Sequence, residues 1–346
     1  MAVDQLRPAI THPAGQLVEW AFDSTVLAGN ALGDPTRRVH PVYLPPGYES
    51  DSGKRYPVLW VLAAYTNSGP GQVAWRNHGE TVPQRLDRLI STGEIPPVMA
   101  VFPDCYTSLG GNQYVDSPAL GPYASHIVDE LVPAIDAQFR TRADGSARAV
   151  MGKSSGGFGA LHLAMNHPGV FSGVASHAGD CGFDRIYPRD FPVACDVLAR
   201  HQGDIEQCVR KFWRSKRPGH AEFHAMMVLC LAASYSPDAS QPLGLALPFD
   251  PHTCERIDAV WSRWMAMDPV SRVADSADAL AALSGLWVDV GFRDQYFMHY
   301  GVRSLHRALN DHHIEHVYEE FDGTHSGIDW RLDLSIRHLV ERLSHD

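Results

Sequence analysis

Ala147-Arg-Ala-Val-Met-Gly152-Lys153-Ser154-Ser155-Gly156-Gly157-Phe158 is the stretch on which the reading turns. Residues 147–151 are a short apolar-rich run, as expected of a strand buried on both faces. After it, Phe158, Leu161 and Met165 recur at helical spacing until His167-Pro168-Gly169 stops the pattern. Between strand and helix lies a G-x-S-x-G sequence, which predicts a sharp turn carrying an exposed serine. The glycines have a physical reason: side chains two before and two after the serine would collide with neighbouring elements. Only Ser154 has glycine at both of those positions; Ser155 has Lys153 before it. Ser154 is therefore the candidate nucleophile. Ser155 opens the helix and offers its backbone N–H to a developing oxyanion.

Working outward, five more apolar runs read as strands: 57–64, 97–102, 171–176, 286–290 and 314–321. Helical stripes lie between them. Tyr123, Ile127, Leu131, Ile135 and Phe139 mark one, with Pro133 expected to interrupt it, and Leu332, Ile336, Leu339 and Leu343 mark another. Residues 16–28 and 36–44 alternate partially and suggest an antiparallel opening ribbon, preceded by a loose arm over 1–14. Strands alternating with helices predict an α/β fold with a mostly parallel central sheet covered on both faces. From 181 to 276 no strand is expected, only helical stripes such as Phe223, Met226, Met227 and Cys230. The chain thus divides into a core of 1–180 and 277–346 and a helical cap insertion of 181–276. Four of nine methionines and three of eight tryptophans fall in the insertion. Stripes at helical spacing are more often core than ligand surface.

A nucleophilic serine needs a base, and the base an orienting acid. In this architecture they follow in the order Ser, Asp or Glu, His, each in a loop after a strand. Asp294 lies four residues past the strand 286–290, where it could also cap the following helix; Asp289 lies inside the strand and ranks lower. His325 follows the last strand, in Phe321-Asp-Gly-Thr-His325-Ser-Gly-Ile-Asp-Trp330. Composition cannot choose among nineteen histidines, but position selects this one. Asp322 is a rival acid, too close in sequence to reach the ring. His177 and Asp180, at the end of the 171–176 strand, are candidates for the substrate pocket. His220 and His224 are four apart, but Glu222 does not directly follow the first as a zincin requires.

The 346 residues are 45% hydrophobic, enough for a sizeable core without disulfides or metal. A net charge of −11 argues against nucleic-acid binding. No run of about 18 apolar residues predicts a membrane span, and the first residues lack the pattern of a secretory signal. Six scattered cysteines without C-x-x-C pairs read as reduced thiols of a cytoplasmic protein.

The chain resembles the putative esterase family of α/β-hydrolases, which includes esterase D, feruloyl esterases, the enterochelin esterase catalytic domain and the antigen 85 mycolyltransferases. The resemblance rests on Tyr56-Pro-Val-Leu-Trp, Phe102-Pro-Asp104, Tyr114-Val-Asp-Ser117, the 121–139 helix, Gly152–Gly157, Gly291–Asp294 and Thr324–Trp330. It implies an α/β-hydrolase fold and a triad of Ser154, Asp294 and His325. It also implies an oxyanion hole from the backbone N–H groups of Tyr65 and Ser155, although Ala63-Ala64 stands where relatives carry His-Gly or Asp-Gly. The implied chemistry is two-step hydrolysis of a small-molecule carboxylic ester with no metal or organic cofactor. An acyltransferase or thioesterase would use the same groups, and a non-catalytic binding protein on this scaffold is a third reading. Homo-oligomerisation is left open.

Overall fold

The computed structural model describes residues 12–76 and 78–343; most of the expected N-terminal arm lies outside them. Eight strands form one sheet in the order β1 (Gln16–Asp23), β2 (Arg37–Leu44), β4 (Met99–Val101), β3 (Val58–Leu62), β7 (Arg148–Lys153), β8 (Gly173–His177), β9 (Gly285–Gly291) and β10 (Val317–Phe321). The first two make the expected antiparallel ribbon, and β2 joins β4 antiparallel. All other pairings are parallel. A two-stranded ribbon, β5 (Asp116–Ser117) with β6 (Gly121–Pro122), stands apart.

The apolar runs that became β3, β4, β8 and β9 are buried throughout because both faces are covered, whereas β10 at the sheet edge is half-buried. Alternate residues serve different layers. Leu59 and Val61 pack with Ala149 and Met151 against the helices Val82–Ser91 and Leu332–Val340. Val58, Trp60, Leu62 and Val150 face the other layer, with Phe158 and Leu161 of the helix Ser155–Asn166. The 181–276 segment joins this second layer, where Val228, Leu229 and Trp264 are buried in continuity with the sheet. It contains the helices Phe191–Ala199, Ile205–Arg214, His220–Tyr235 and Asp258–Met265, and no strand longer than an isolated bridge. Among the described residues no helix is long and apolar enough to cross a membrane.

Pro133 leaves its mark one turn earlier than a simple kink would. Its missing N–H cannot serve the carbonyl of Asp129. The chain widens into a π-helical stretch, His126–Leu131, with the Val132 N–H reaching the Ile127 carbonyl five residues back.

The C-terminal ends of β7, β8 and β9 are in register, with Lys153 beside His177 and His177 beside Asp289. Ser154 follows this row directly. A Cβ on Gly156 would lie 2.4 Å from the carbonyl oxygen of Leu62. Gly156→Ala should therefore cost roughly 1–3 kcal/mol of stability, read from urea denaturation. A variant as stable as the parent would show that β3 and the turn are not in forced contact.

Candidate active site

Ser154 sits at φ 56°, ψ −125°, a conformation that L-residues rarely adopt. Its N–H donates to the His177 carbonyl at 2.9 Å, and its own carbonyl accepts from the Phe158 N–H at 2.9 Å. A Cβ on Gly152 would fall 2.4 Å from the backbone of Gly156, so both flanking glycines are needed for the turn to close. Ser155 begins the helix. Its hydroxyl accepts from Gln113 Nε2 at 3.0 Å, and Gln113 Oε1 accepts from the buried Tyr235 hydroxyl at 3.2 Å.

The loops after β9 and β10 bring Asp294 and His325 together. Nδ1 of His325 is 2.7 Å from Oδ2 of Asp294, both groups being almost fully buried. The other oxygen of Asp294 accepts the Tyr296 N–H at 2.8 Å, so the carboxylate is held in a local turn rather than capping the helix Met298–Asp311. An ionised Asp294 makes Nδ1 the protonated nitrogen and leaves Nε2 as the basic one. The Tyr296 ring meets the imidazole edge-on at 4.8 Å, and Gln295 Oε1 accepts the His325 N–H at 2.9 Å. These two neighbours follow Asp294 directly in the chain, yet nothing in their spacing announced them.

Ser154 and His325 line one cavity of about 410 Å³, together with Tyr65, Asp180, Tyr187 and His224. The Ser154 hydroxyl is turned towards Asp180, with Oγ 3.4 Å from Oδ1; no hydrogen bond joins it to His325 among the described residues. Asp180 also accepts from the Tyr187 hydroxyl at 3.0 Å. Burial pushes the Asp180 carboxyl up to about 6, against the opposing pull of Tyr187, His325 and Ser154. Tyr65 borders the cavity beside Thr66, itself at positive φ, and the Tyr65 phenol is tied to the Leu109 carbonyl at 2.9 Å. Among the described residues, neither the Tyr65 nor the Ser155 N–H donates to a backbone carbonyl.

His177 does not line this cavity; it borders an adjoining cleft beside Gly152 and Lys153. Its ring is fully buried between Asp289 at 2.7 Å and the Ser335 hydroxyl at 2.9 Å. Asp289 in turn accepts from Trp287 Nε1 at 3.0 Å and Arg331 Nε at 2.8 Å. Burial would raise its pKa, but His177, Trp287 and Arg331 together hold it below the usual carboxylate range. Asp322 is exposed and pairs with Arg293.

The 181–276 segment supplies one wall of the cavity. His224 is held by Asp190 at 2.7 Å and stands 3.2 Å from His220. Met227 also lines the wall. The tryptophans do not: Trp261 and Trp264 pack around Phe191, and the Trp213 indole donates to the Ser108 carbonyl at 2.8 Å.

Comparison with known proteins agrees with this architecture. The sequence profile of the family described as "Putative esterase" matches residues 34–339. The chain belongs to that family. An esterase of Mycobacterium tuberculosis is 33% identical over 159 residues, which are 42% of this chain and 30% of that protein. An endo-1,4-beta-xylanase/feruloyl esterase of Xylanibacter ruminicola is 32% identical over 133 residues, 38% of this chain and 18% of that protein. The matches thus span under a third of each relative's length. Among solved structures, a ferulic acid esterase superposes with a TM-score of 0.61 at 20% identity, covering 94% of this chain and 99% of that one. An S-formylglutathione hydrolase from Agrobacterium tumefaciens gives 0.59 at 18% identity, covering 99% and 100%. The α/β-hydrolase fold expected from the motif order is the fold observed.

Asp180 yields a signed prediction. Its folded pKa of about 6 exceeds the ordinary 3.8, so ionisation opposes folding and stability is lost as pH rises from about 4 through 6. Asp180→Asn removes that penalty. Its stability relative to the parent should improve by up to about 3 kcal/mol between pH 4 and pH 7, then level off. Parallel denaturation curves at both pH values measure it; a difference independent of pH would mean the carboxyl is not desolvated.

Proposed function

We propose that this chain hydrolyses a small-molecule carboxylic ester through an acyl-enzyme formed on Ser154. The observation that carries the reading is the buried His325–Asp294 pair sharing a cavity with a serine on a strained strand-to-helix turn. Rotation of the Ser154 side chain from Asp180 towards His325 lets Nε2 take the hydroxyl proton as Oγ attacks the ester carbonyl. The Ser155 and Tyr65 N–H groups stabilise the oxyanion, in the role where loss of one donor costs about 10²–10³ in rate. His325 then protonates the departing alcohol, and water repeats the sequence on the acyl-enzyme. Asp294 keeps the imidazole in the useful tautomer and stabilises the imidazolium.

The 181–276 segment acts as a cap over the acyl side of this site. Its wall of Tyr187, His224 and Met227 supports that role. His177 and Asp289 hold the sheet to the C-terminal helix and take no part in proton transfer.

A fluorophosphonate probe should label the parent protein and leave Ser154→Ala unlabelled; equal labelling of both would remove Ser154 from its role. Asp294→Asn should lower kcat for an aryl acetate by at least about 10³-fold, the penalty of a wrong imidazole tautomer. Asp289→Asn should instead lower stability, with kcat of the folded fraction within a few-fold of the parent. The reverse pattern would exchange the two acids.

A further inference from the structure

We propose that a second cleft beside the nucleophile receives a carboxylate carried on the alcohol arm of the ester, with Lys153 as the cation that binds it. The inference rests on the esterase reading above. The cleft is about 350 Å³ and is walled by Val61, Gly152, the 326–329 loop and Lys153. Ala64, Lys153 and Ser326 belong to both this cleft and the Ser154 cavity, so the two adjoin at the reacting serine.

Lys153 lacks an ion-pair partner among the described residues because the nearby carboxylates are committed elsewhere. Asp329 is 2.7 Å from Arg76, and Glu80 is 2.8 Å from Arg88. Asp294 holds His325, and Asp289 holds His177 and Arg331. Its register neighbour His177 has both ring nitrogens occupied. Burial lowers the Lys153 pKa, with Asp329 offsetting only part of that effect. An ammonium that has given up water without gaining an anion is a desolvation cost that an incoming carboxylate relieves.

Geometry assigns the arm. His325 gives its proton to the leaving alcohol, so that oxygen faces His325; the imidazole lines the Ser154 cavity, and the loop directly after it, 326–329, walls the adjoining cleft, into which the rest of the alcohol arm is placed. The acyl group is left on the other side, under Tyr187 and His224. The volume suits a benzoate-sized group, since a cavity of about 150 Å³ already admits benzene. Arg76 also lines the cleft but is paired with Asp329, and Glu80 is paired with Arg88, so Lys153 is the one lining Lys or Arg without an ion-pair partner among the described residues, which favours a monoanion over a phosphate dianion.

The test compares 3-acetoxybenzoate with its methyl ester, which share the acetyl group and differ in charge on the leaving arm. The parent should favour the acid in kcat/KM, chiefly through KM. Lys153→Met should reduce that preference by about 10-fold or more, as expected for loss of a charge-assisted hydrogen bond, while Lys153→Arg retains most of it. A second pair, 4-nitrophenyl hemisuccinate and 4-nitrophenyl methyl succinate, places the charge on the acyl arm and should show no dependence on Lys153. A parent ratio at or below unity, or an unchanged ratio in Lys153→Met, overturns the proposal. A Lys153-dependent preference confined to the acyl pair overturns the assignment of the arm. Hydrolysis of neutral esters without an acid preference sinks this inference and leaves the esterase reading standing. If no ester is turned over and the fluorophosphonate does not react, the esterase reading falls. Calorimetric titration with 3-hydroxybenzoate then still decides the cleft: binding to the parent that is lost in Lys153→Met supports it, and equal or absent binding overturns it.

Discussion

The backbone of Ser154 is the constraint on which the site depends. A non-glycine residue at φ 56°, ψ −125° is strained by about 1–3 kcal/mol and persists only where its surroundings over-determine it. Three parallel strands do so. The turn begins as β7 ends, its N–H is bound by the last carbonyl of β8, and Gly156 is pressed against the last carbonyl of β3. No single contact holds the serine up. The registers of β3, β7 and β8 hold it, and those registers are set by side chains buried on both faces of the sheet. The geometry of Ser154 is thus a property of the sheet rather than of the pentapeptide.

Around that turn the fold places three buried aspartates in three electrostatic settings. Asp289 is surrounded by donors and a guanidinium and is held ionised, which suits a strut between the sheet and the Arg331 turn. Asp294 has one histidine and one backbone N–H, enough to orient an imidazole. Asp180 has two hydroxyls and, among the described residues, no cation in contact, so burial wins and its carboxyl is pushed up. Chemically identical side chains at the C-terminal edge of one sheet are sorted by what each can accept a hydrogen bond from.

Much of this was legible in the chain. The runs at 57–64, 97–102 and 147–151 announce strands because burial on both faces removes polar alternation. Chain order places Asp294 and His325 in loops after strands, and the structure brings those two side chains together. The limits have equally physical causes. The Ser154–Asp180 contact joins residues 26 apart whose loops meet only after β7 and β8 align. The role of His177 depends on cross-strand register with Asp289, which no local pattern reveals. The stripe through Ile127 and Leu131 predicts a helix correctly but not its π-helical widening. The insertion's tryptophans sit at helical spacing whether they face a ligand or a core, and here Trp261 and Trp264 face a core.

The two cavities alter where substrate identity resides. Composition and motif order point to the 181–276 segment as its seat, because that segment interrupts the core at the edge facing the serine. Of the two cavities, that segment walls the one lined by Tyr187 and His224 and contributes no residue to the other. The other cleft is built from the loop after β3, the residue before the nucleophile, and the loop after His325, all belonging to the sheet scaffold. An ester has two arms, and acyl transfer requires them to leave the reacting carbon in different directions. On the reading proposed above, exchanging the helical segment changes acyl preference and leaves recognition of the alcohol with Lys153. The backbone of Lys153 belongs to the β7–β8 register that holds the turn, but among the described residues its side chain is not one of the contacts that close it, which leaves that side chain free to encode specificity.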